Sequence, residues 1–450
     1  MNTAIFRAYD VRGVADEDLT DDVARDLGRA FGSEILMDGG RRVSLGRDCR
    51  THGDRLRAAF LEGLLSTGVD VLDVGVVASP LLYFSVFHHD LDGGVQITGS
   101  HNPPDYNGFK MMSGKRSLHG ERIQALRRRI EERRFAEGSG TLSEDPIHPT
   151  YVDYVASALS LGDRPLKVVV DGGNGTGGPP AVALLERLGV EVVPMFIEMD
   201  GTFPNHHPDP TVEENLALLR ARVVSEGADL GVAYDGDADR IGVVDERGEI
   251  LWGDRLMIVL SRALLAVEPG AAIVSEVKCS RTLFDDIAAQ GGRPIMSRVG
   301  HSIIKERMRE EDALLGGEMS GHIFYRHRWF GFDDAVYTTG RLLEILSSQP
   351  APLSALLSGV PSTHVTPEIR LDCPDDVKFR VVDEAIAHFR RDHRVVDIDG
   401  ARVDFPGGWG LIRASNTQPV IVLRAEADTA DGLHEIRQVL EGFVASRWSA

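Results

Sequence analysis

The chain has 450 residues, 42% of them hydrophobic and 26% charged, which is a globular composition with room for about three or four domains. Its formal charge of −20 argues against a nucleic-acid or anionic-membrane surface, because both demand a basic stripe; an anionic ligand must therefore meet a local reversal of sign. Cys49, Cys279 and Cys373 are far apart and in no metal-type spacing, no run of ~18 apolar residues occurs, and the start of the chain carries Arg7 and Asp10 in place of an apolar leader, so the expectation is a cytoplasmic protein with no membrane span.

Three stretches share one grammar of strand, turn, helix with a glycine stop, and strand. The first has an apolar run from Val43 to Leu45, the turn GRDCR, the helical pattern LRAAFLEGLLSTG ending at Gly68, and the strand VDVLDVGVV. The second reads LKVVVDGGNGTGG, AVALLERLG and VEVVPMFI, and the third reads AAIVSEVKCS, RTLFDDIAAQGG and RPIMSRVG. Each predicts parallel strands joined by crossover helices. A further strand in each unit runs into a polar loop: GGVQITGSHNP, then ADLGVAYDGDADRIGVV, then ALLGGEMSGHIFY. Ligands of open α/β sheets bind beyond the carboxyl ends of the strands, so these loops converge if the units face one cleft. After Pro361 the pattern changes to IRLDCPDD, the helix VKFRVVDEAIAHF, strands around VVDIDGARVDF and WGLIRASNTQPVIVLRAEA, and a last helix LHEIRQVLEGFV, which reads as a small α+β domain. The predicted fold is α/β: three similar domains with mixed sheets, over 1–148, 149–250 and 251–361, plus a C-terminal α+β domain over 362–450 around a central cleft.

The loops carry the chemistry. Ser100 sits in ITGSHNPP, just beyond a strand and ahead of a Pro-Pro pair that cannot continue it; a plain turn serine is the bland alternative. DGDADR places Asp235, Asp237 and Asp239 on one loop, where three alternating carboxylates repel unless a divalent cation relieves them, and all-oxygen ligands suit Mg²⁺ or Ca²⁺. With Glu246 these aspartates occupy positions 1, 3, 5 and 12 of a calcium loop, but position 6 is Arg240 where that loop needs glycine, and the flanks GVAY and IGVV read as strands. GEMSGH combines Glu318, Ser320 and His322 between glycines that let a ligand approach, and RASNTQP groups Arg413, Ser415, Asn416 and Thr417 as donors suited to a phosphate. Nucleophile, metal, sugar-binding loop and phosphate clamp together outline phosphoryl transfer.

From FRAYDVRG through TGSHNPPDYNGFK, DGDADR, VGHSIIK, GEMSGH and RWFGFDD to RASNTQP, the chain resembles the α-D-phosphohexomutases, and within them the phosphomannomutase/phosphoglucomutase group. The resemblance implies that Ser100 is the phosphoserine, that Asp235, Asp237, Asp239 and the serine phosphate hold one Mg²⁺, and that Glu318 and Ser320 grip sugar hydroxyls. It assigns Arg413, Ser415, Asn416 and Thr417 to the phosphate that is not reacting, and matches Tyr9, Arg12, Lys110, Arg240, Lys278, His301 and His322 to other active-site positions. Arg12, His101, Lys110 and His322 form the catalytic group around Ser100, with Lys110 and His322 the candidates for proton transfer; Tyr9, Lys278 and His301 fall with the substrate-binding residues. Gly99 and Met319 follow the glucose/mannose pattern, where glucosamine mutases usually show TASHNP and GEQSGH, and RTHGDR at 50–55 departs from relatives that more often carry serines there.

The implied reaction interconverts hexose 1-phosphate and hexose 6-phosphate through a hexose 1,6-bisphosphate, which also serves as activator and must turn over in the cleft. The partner is a small phosphosugar, with neither nucleic acid nor membrane, and the chain is expected as a monomer or dimer. A phosphoglucosamine mutase, a sugar phosphatase and a non-enzymatic sugar-phosphate sensor are the alternatives.

Overall fold

The computed structural model describes residues 1–415 and 419–448. Its strands and helices collect into two compact units, one of Met1–Ala263 with Ser320–Leu357 and the other of Leu264–Met319 with Ser358 onward.

The first unit holds two mixed sheets. In one, the order is Val11–Val14, Tyr106–Ser113, Gly93–Ile97, Arg42–Arg47, Asp70–Val76, Leu142–Glu144. Arg42–Arg47 runs parallel to both Asp70–Val76 and Gly93–Ile97, while Tyr106–Ser113 is antiparallel to Gly93–Ile97 and to Val11–Val14. The other sheet has the order Ile250–Leu251, Ile241–Asp245, Leu230–Tyr234, Lys167–Asp171, Glu191–Met195, parallel at Lys167–Asp171 and antiparallel where Leu230–Tyr234 meets Ile241–Asp245. Gly93–Ile97 and Leu230–Tyr234 are buried at every residue, as expected for apolar runs covered on both faces, and each delivers its polar loop from a fixed end. Helices Asp21–Met37 and Gly53–Leu65 pack backbone to backbone on the first sheet: a Cβ on Gly63 would lie 2.0 Å from the Arg25 carbonyl oxygen.

In the second unit Ala272–Glu276 runs parallel to Arg293–Ser297 and to Leu315–Gly317, repeating the grammar of the first two sheets. The C-terminal segment departs from it, as its sequence predicts. Val420–Ala427 and Gly408–Ala414 form the middle of an antiparallel sheet, packed through Ile412, Ile421 and Leu423 on Val381, Phe389 and Leu440 of helices Asp375–Phe389 and Ala430–Arg447. The glycine stops of the three repeated units, Gly68, Gly189 and Gly291, all have positive φ (94°, 75° and 79°), a conformation in which a side chain is strained. Among the described residues no helix is long and apolar enough to cross a membrane.

Candidate active site

Ser100 lies three residues beyond the strand Gly93–Ile97 and is 2% exposed. Its φ is +48°, a left-handed conformation that serine adopts only when its surroundings over-determine it. The backbone N–H of Ser100 donates to Thr98 Oγ1 at 2.8 Å, and Thr98 Oγ1 in turn donates to Asp48 Oδ2 at 2.7 Å. Turned this way, Ser100 Oγ donates to Asp235 Oδ2 at 2.7 Å and sits 3.1 Å from His101 Nδ1. Burial, then the charges of Arg240 and Arg12, push the His101 imidazole well below its ordinary value, so the ring beside the serine is neutral at neutral pH.

DGDADR is the turn of a hairpin. Leu230–Tyr234 pairs with Ile241–Asp245 up to Tyr234 against Ile241, and Ala238 takes φ +56° at the bend. Flanking strands replace the helices that a calcium loop requires, which removes that reading. Asp235, Asp237 and Asp239 are fully buried, and one oxygen from each lies within 4.8 Å of the others. Lys110 Nζ donates to Asp237 Oδ2 at 2.6 Å and also to Asp239 Oδ2, while Ser79 Oγ donates to Asp237 Oδ2 at 2.5 Å. Burial works against the Lys110 charge, but Asp237 and Asp239 raise the ammonium well above its ordinary value. Asp235 is pushed well up by burial and by its two like-charged neighbours. Burial also opposes ionisation of Asp239, yet Lys110 and then His322 hold it below the ordinary carboxylate range.

The donor set fits a divalent cation. Oδ1 of Asp237 and Oδ1 of Asp239 are buried and accept no hydrogen bond from any described residue, a cost that a bound cation would remove. Asp239 also groups with His322 and Asp333: His322 Nδ1 lies 3.1 Å from Asp333 Oδ2 and 3.6 Å from Asp239 Oδ1, and Arg240 Nε donates to His322 Nε2 at 3.0 Å. Asp235, Asp237 and Asp239 present oxygen alone, the preference of a hard cation, and lie against Ser100 Oγ.

Of the other expected residues of the first unit, Arg240 and Arg12 are bonded to this site. The Arg240 N–H donates to Asp235 Oδ1 at 3.1 Å, and Arg12 Nη1 donates to Asn102 Oδ1 at 2.6 Å on the serine loop, with its Nη2 on Asp10 at 2.5 Å. Tyr9 is half-buried just ahead of Val11–Val14, and Ser320 is half-buried two residues before His322.

Lys278, His301, Glu318, Arg413 and Ser415 belong to the second unit. Glu318, 4% exposed, accepts the Gly300 N–H at 2.7 Å where the helix His301–Glu310 begins, and so has one carboxylate oxygen already engaged. Lys278 Nζ lies 2.7 Å from Glu368 Oε1; burial opposes its charge, but Glu276 and Glu368 raise it. Arg413, at the end of Gly408–Ala414, donates from Nε to Asp399 Oδ2 at 2.9 Å, and the same oxygen accepts the Val299 N–H at 2.9 Å. The Ser415 carbonyl accepts Lys378 Nζ at 2.5 Å. Asn416 and Thr417 lie outside the described residues. Sequence reasoning assigns no role to Asp48, Arg50, Ser79, Asp333, Asp399 or Glu368: Asp48 and Arg50 read only as part of the turn GRDCR, Asp399 only as part of a strand region and Asp333 only as part of RWFGFDD, because the contacts that give each its role are made with residues distant in the chain.

Family models cover nearly the whole chain. The phosphoglucomutase/phosphomannomutase alpha/beta/alpha domains I, II and III match residues 3–137, 149–248 and 252–364, and the C-terminal domain of the same family matches 368–442. A phosphomannomutase/phosphoglucomutase of Pseudomonas aeruginosa is 48% identical over 438 residues, 97% of this chain and 94% of its own length. A phosphoglucomutase of Neisseria meningitidis is 44% identical over 98% of this chain and 97% of its own. The crystal structure of a phosphoglucomutase/phosphomannomutase family protein from Burkholderia thailandensis superposes with a TM-score of 0.94 at 44% identity, covering 99% of this chain and 98% of that one. A four-domain α/β scaffold is thus matched along its length, and the chain belongs to the phosphoglucomutase/phosphomannomutase family.

Proposed function

We propose that this chain interconverts the 1- and 6-phosphates of glucose and mannose through a phosphorylated Ser100 and a hexose 1,6-bisphosphate. The observation that carries the reading is the buried Ser100 hydroxyl, held left-handed and 2.7 Å from a three-carboxylate cluster in which two oxygens accept no hydrogen bond from the described residues.

In the first half-reaction the bond from Ser100 Oγ to phosphorus breaks, and a bond forms between that phosphorus and the free O1 or O6 hydroxyl of the bound hexose monophosphate. The hydroxyl proton leaves to a neighbouring base; of the two candidates for proton transfer His322, with Arg12 assisting, is left for this step, because Asp237 and Asp239 hold Lys110 as a charged ammonium, which can return a proton but not accept one. After the bisphosphate turns over, Ser100 Oγ takes the other phosphoryl group and the sugar oxygen recovers a proton. Mg²⁺, bound by Asp235, Asp237 and Asp239, would neutralise charge developing on the transferring group. Arg12, bonded to Asn102 on the serine loop, and Arg240, which follows Asp239 on the aspartate hairpin, are assigned to phosphoryl oxygens. Glu318 and Ser320 are assigned to sugar hydroxyls, Tyr9, Lys278 and His301 to further substrate contacts, and Arg413 with Ser415 to the distal phosphate, for which Arg413 must share or leave Asp399. The four domains, 1–148, 149–250, 251–361 and 362–450, would carry the phosphoserine, metal, sugar and phosphate loops in that order.

The test is turnover of glucose 1-phosphate and of mannose 1-phosphate with and without added hexose 1,6-bisphosphate. Conversion of both, accelerated by the bisphosphate, is expected; release of inorganic phosphate in place of the 6-phosphate would overturn the reading.

A further inference from the structure

Arg50 lies beneath the nucleophile loop with no solvent-exposed side-chain surface. Its Nη1 donates to the carbonyl oxygens of Pro103 and Tyr106 at 2.5 and 2.9 Å, and its Nη2 donates to those of Ser100 and Asn102 at 2.8 and 2.6 Å. Nε lies 3.3 Å from Asp48 Oδ2, which also accepts the Thr98 hydroxyl at 2.7 Å and the Gly99 N–H at 3.1 Å. The guanidinium rests on Gly99 so closely that a Cβ there would come within 2.5 Å of its central carbon.

Four carbonyl oxygens aimed at one point repel each other, and the guanidinium at their focus offsets that repulsion. A guanidinium has five N–H donors in a rigid fork, and here four bonds to carbonyls and the Asp48 contact engage its three nitrogens. Arg50 is therefore committed to the protein and cannot also serve as a phosphate ligand. We propose that Arg50, braced by Asp48, is a positioning residue: it gathers the carbonyls of residues 100–106 and thereby fixes Ser100 in its left-handed conformation with Oγ aimed at the carboxylate cluster. The proposal rests on Ser100 being the phosphoryl carrier. Asp48 completes the device from the other side, since the Thr98 hydroxyl it orients accepts the Ser100 N–H.

Substrate hydroxyls and the distal phosphate are assigned to other loops, so loosening this clamp should misplace the reacting atom without weakening ground-state binding. A misplacement of about 1 Å costs on the order of 100-fold in rate. Arg50→Lys keeps the charge but has three donors on a single nitrogen and cannot span four carbonyls. The experiment measures kcat and KM for glucose 1-phosphate, the melting temperature, and the ³¹P resonance of the phosphoserine, in Arg50→Lys and in Asp48→Asn. The proposal expects kcat lower by about 100-fold in Arg50→Lys and by a smaller factor in Asp48→Asn, KM within about threefold, and a shifted or broadened ³¹P line. Unchanged kcat with an unchanged ³¹P line overturns it, as does a loss of kcat matched by an equal rise in KM. Should Arg50→Lys fail to fold, Asp48→Asn is read by the same criteria. Ser100→Ala is the separating control: if it retains turnover, the carrier assignment fails whatever Arg50 does, whereas an inactive Ser100→Ala beside a fully active Arg50→Lys defeats the clamp alone.

Discussion

Lys110→Met is the substitution that most directly probes how the protein tolerates three carboxylates in one buried loop. Lys110 Nζ bonds both Asp237 and Asp239, and all three side chains are almost wholly buried. Removing one partner of a buried pair costs about 3–5 kcal/mol, because the remaining charge is left without compensation. For a cooperative unit of a few hundred residues that corresponds to a melting temperature lower by about 6–20 °C. The assay is thermal unfolding in EDTA and in excess Mg²⁺. A cation on the unengaged Oδ1 atoms of Asp237 and Asp239 stabilises by mass action, about 2.7 kcal/mol at a hundred times its Kd, and the variant pocket, more negative by one charge, should gain more than wild type does. The gap between the proteins in EDTA should therefore narrow in Mg²⁺. A variant that melts within about 2 °C of wild type in EDTA, or a gap indifferent to Mg²⁺, would refute the reasoning.

Asp237→Asn should lower kcat far more than it raises KM, and chelation should abolish turnover that Mg²⁺ restores better than Ca²⁺; activity untouched by EDTA would remove the metal from the account. Arg413→Ala should raise KM by about 10- to 100-fold for every phosphosugar and deepen dependence on added bisphosphate, which steady-state kinetics with and without primer will show. Burial works against ionisation of Glu368, yet Lys278 holds its carboxyl down at about 2, so its stabilisation is present above the ordinary value of 4.5 and is lost as pH falls from there through about 2. Glu368→Gln should accordingly melt well below wild type at pH 7, with the difference shrinking between pH 5 and pH 3; a constant difference would mean that charge is not what Glu368 contributes. Glucose and mannose phosphates should be turned over comparably and glucosamine 6-phosphate poorly, and a strong preference for the amino sugar in competition assays would overturn the assignment drawn from Gly99 and Met319.

The repeated units were legible because their central strands are apolar runs and the helices that follow end in glycines of positive φ. Helices buried on all sides were not. SPLLYFSVFH, residues 79–88, is buried at its first eight positions and shows no amphipathic period, so periodicity gives it no helical signature. Ala335–Ser347, capped by Asp334 and buried along most of its length, was not read from the sequence either. At the site, the loops and their chemistry could be read because Ser100 and the three aspartates sit at strand ends in compact motifs. Their supports could not: Ser79 meets Asp237 across 158 positions and Arg50 meets Ser100 across 50, separations at which a single sequence carries no pairing signal. Arg50 looks like any residue of a polar turn until its four acceptors are seen. Likewise, RASNTQP gives no hint that Arg413 is already paired with Asp399.

The central claim is that Ser100 passes its phosphoryl group to a sugar hydroxyl and not to water. Enzyme carrying radiolabelled phosphate on Ser100, mixed with unlabelled glucose 1-phosphate for a single turnover, tests it directly. The label should leave the protein and appear in hexose bisphosphate and then in glucose 6-phosphate, while Ser100 regains an unlabelled phosphoryl group from the substrate, so that the mass of the protein is the same before and after the cycle. Label recovered as inorganic phosphate, or label that stays on Ser100 while glucose 6-phosphate accumulates, would contradict it.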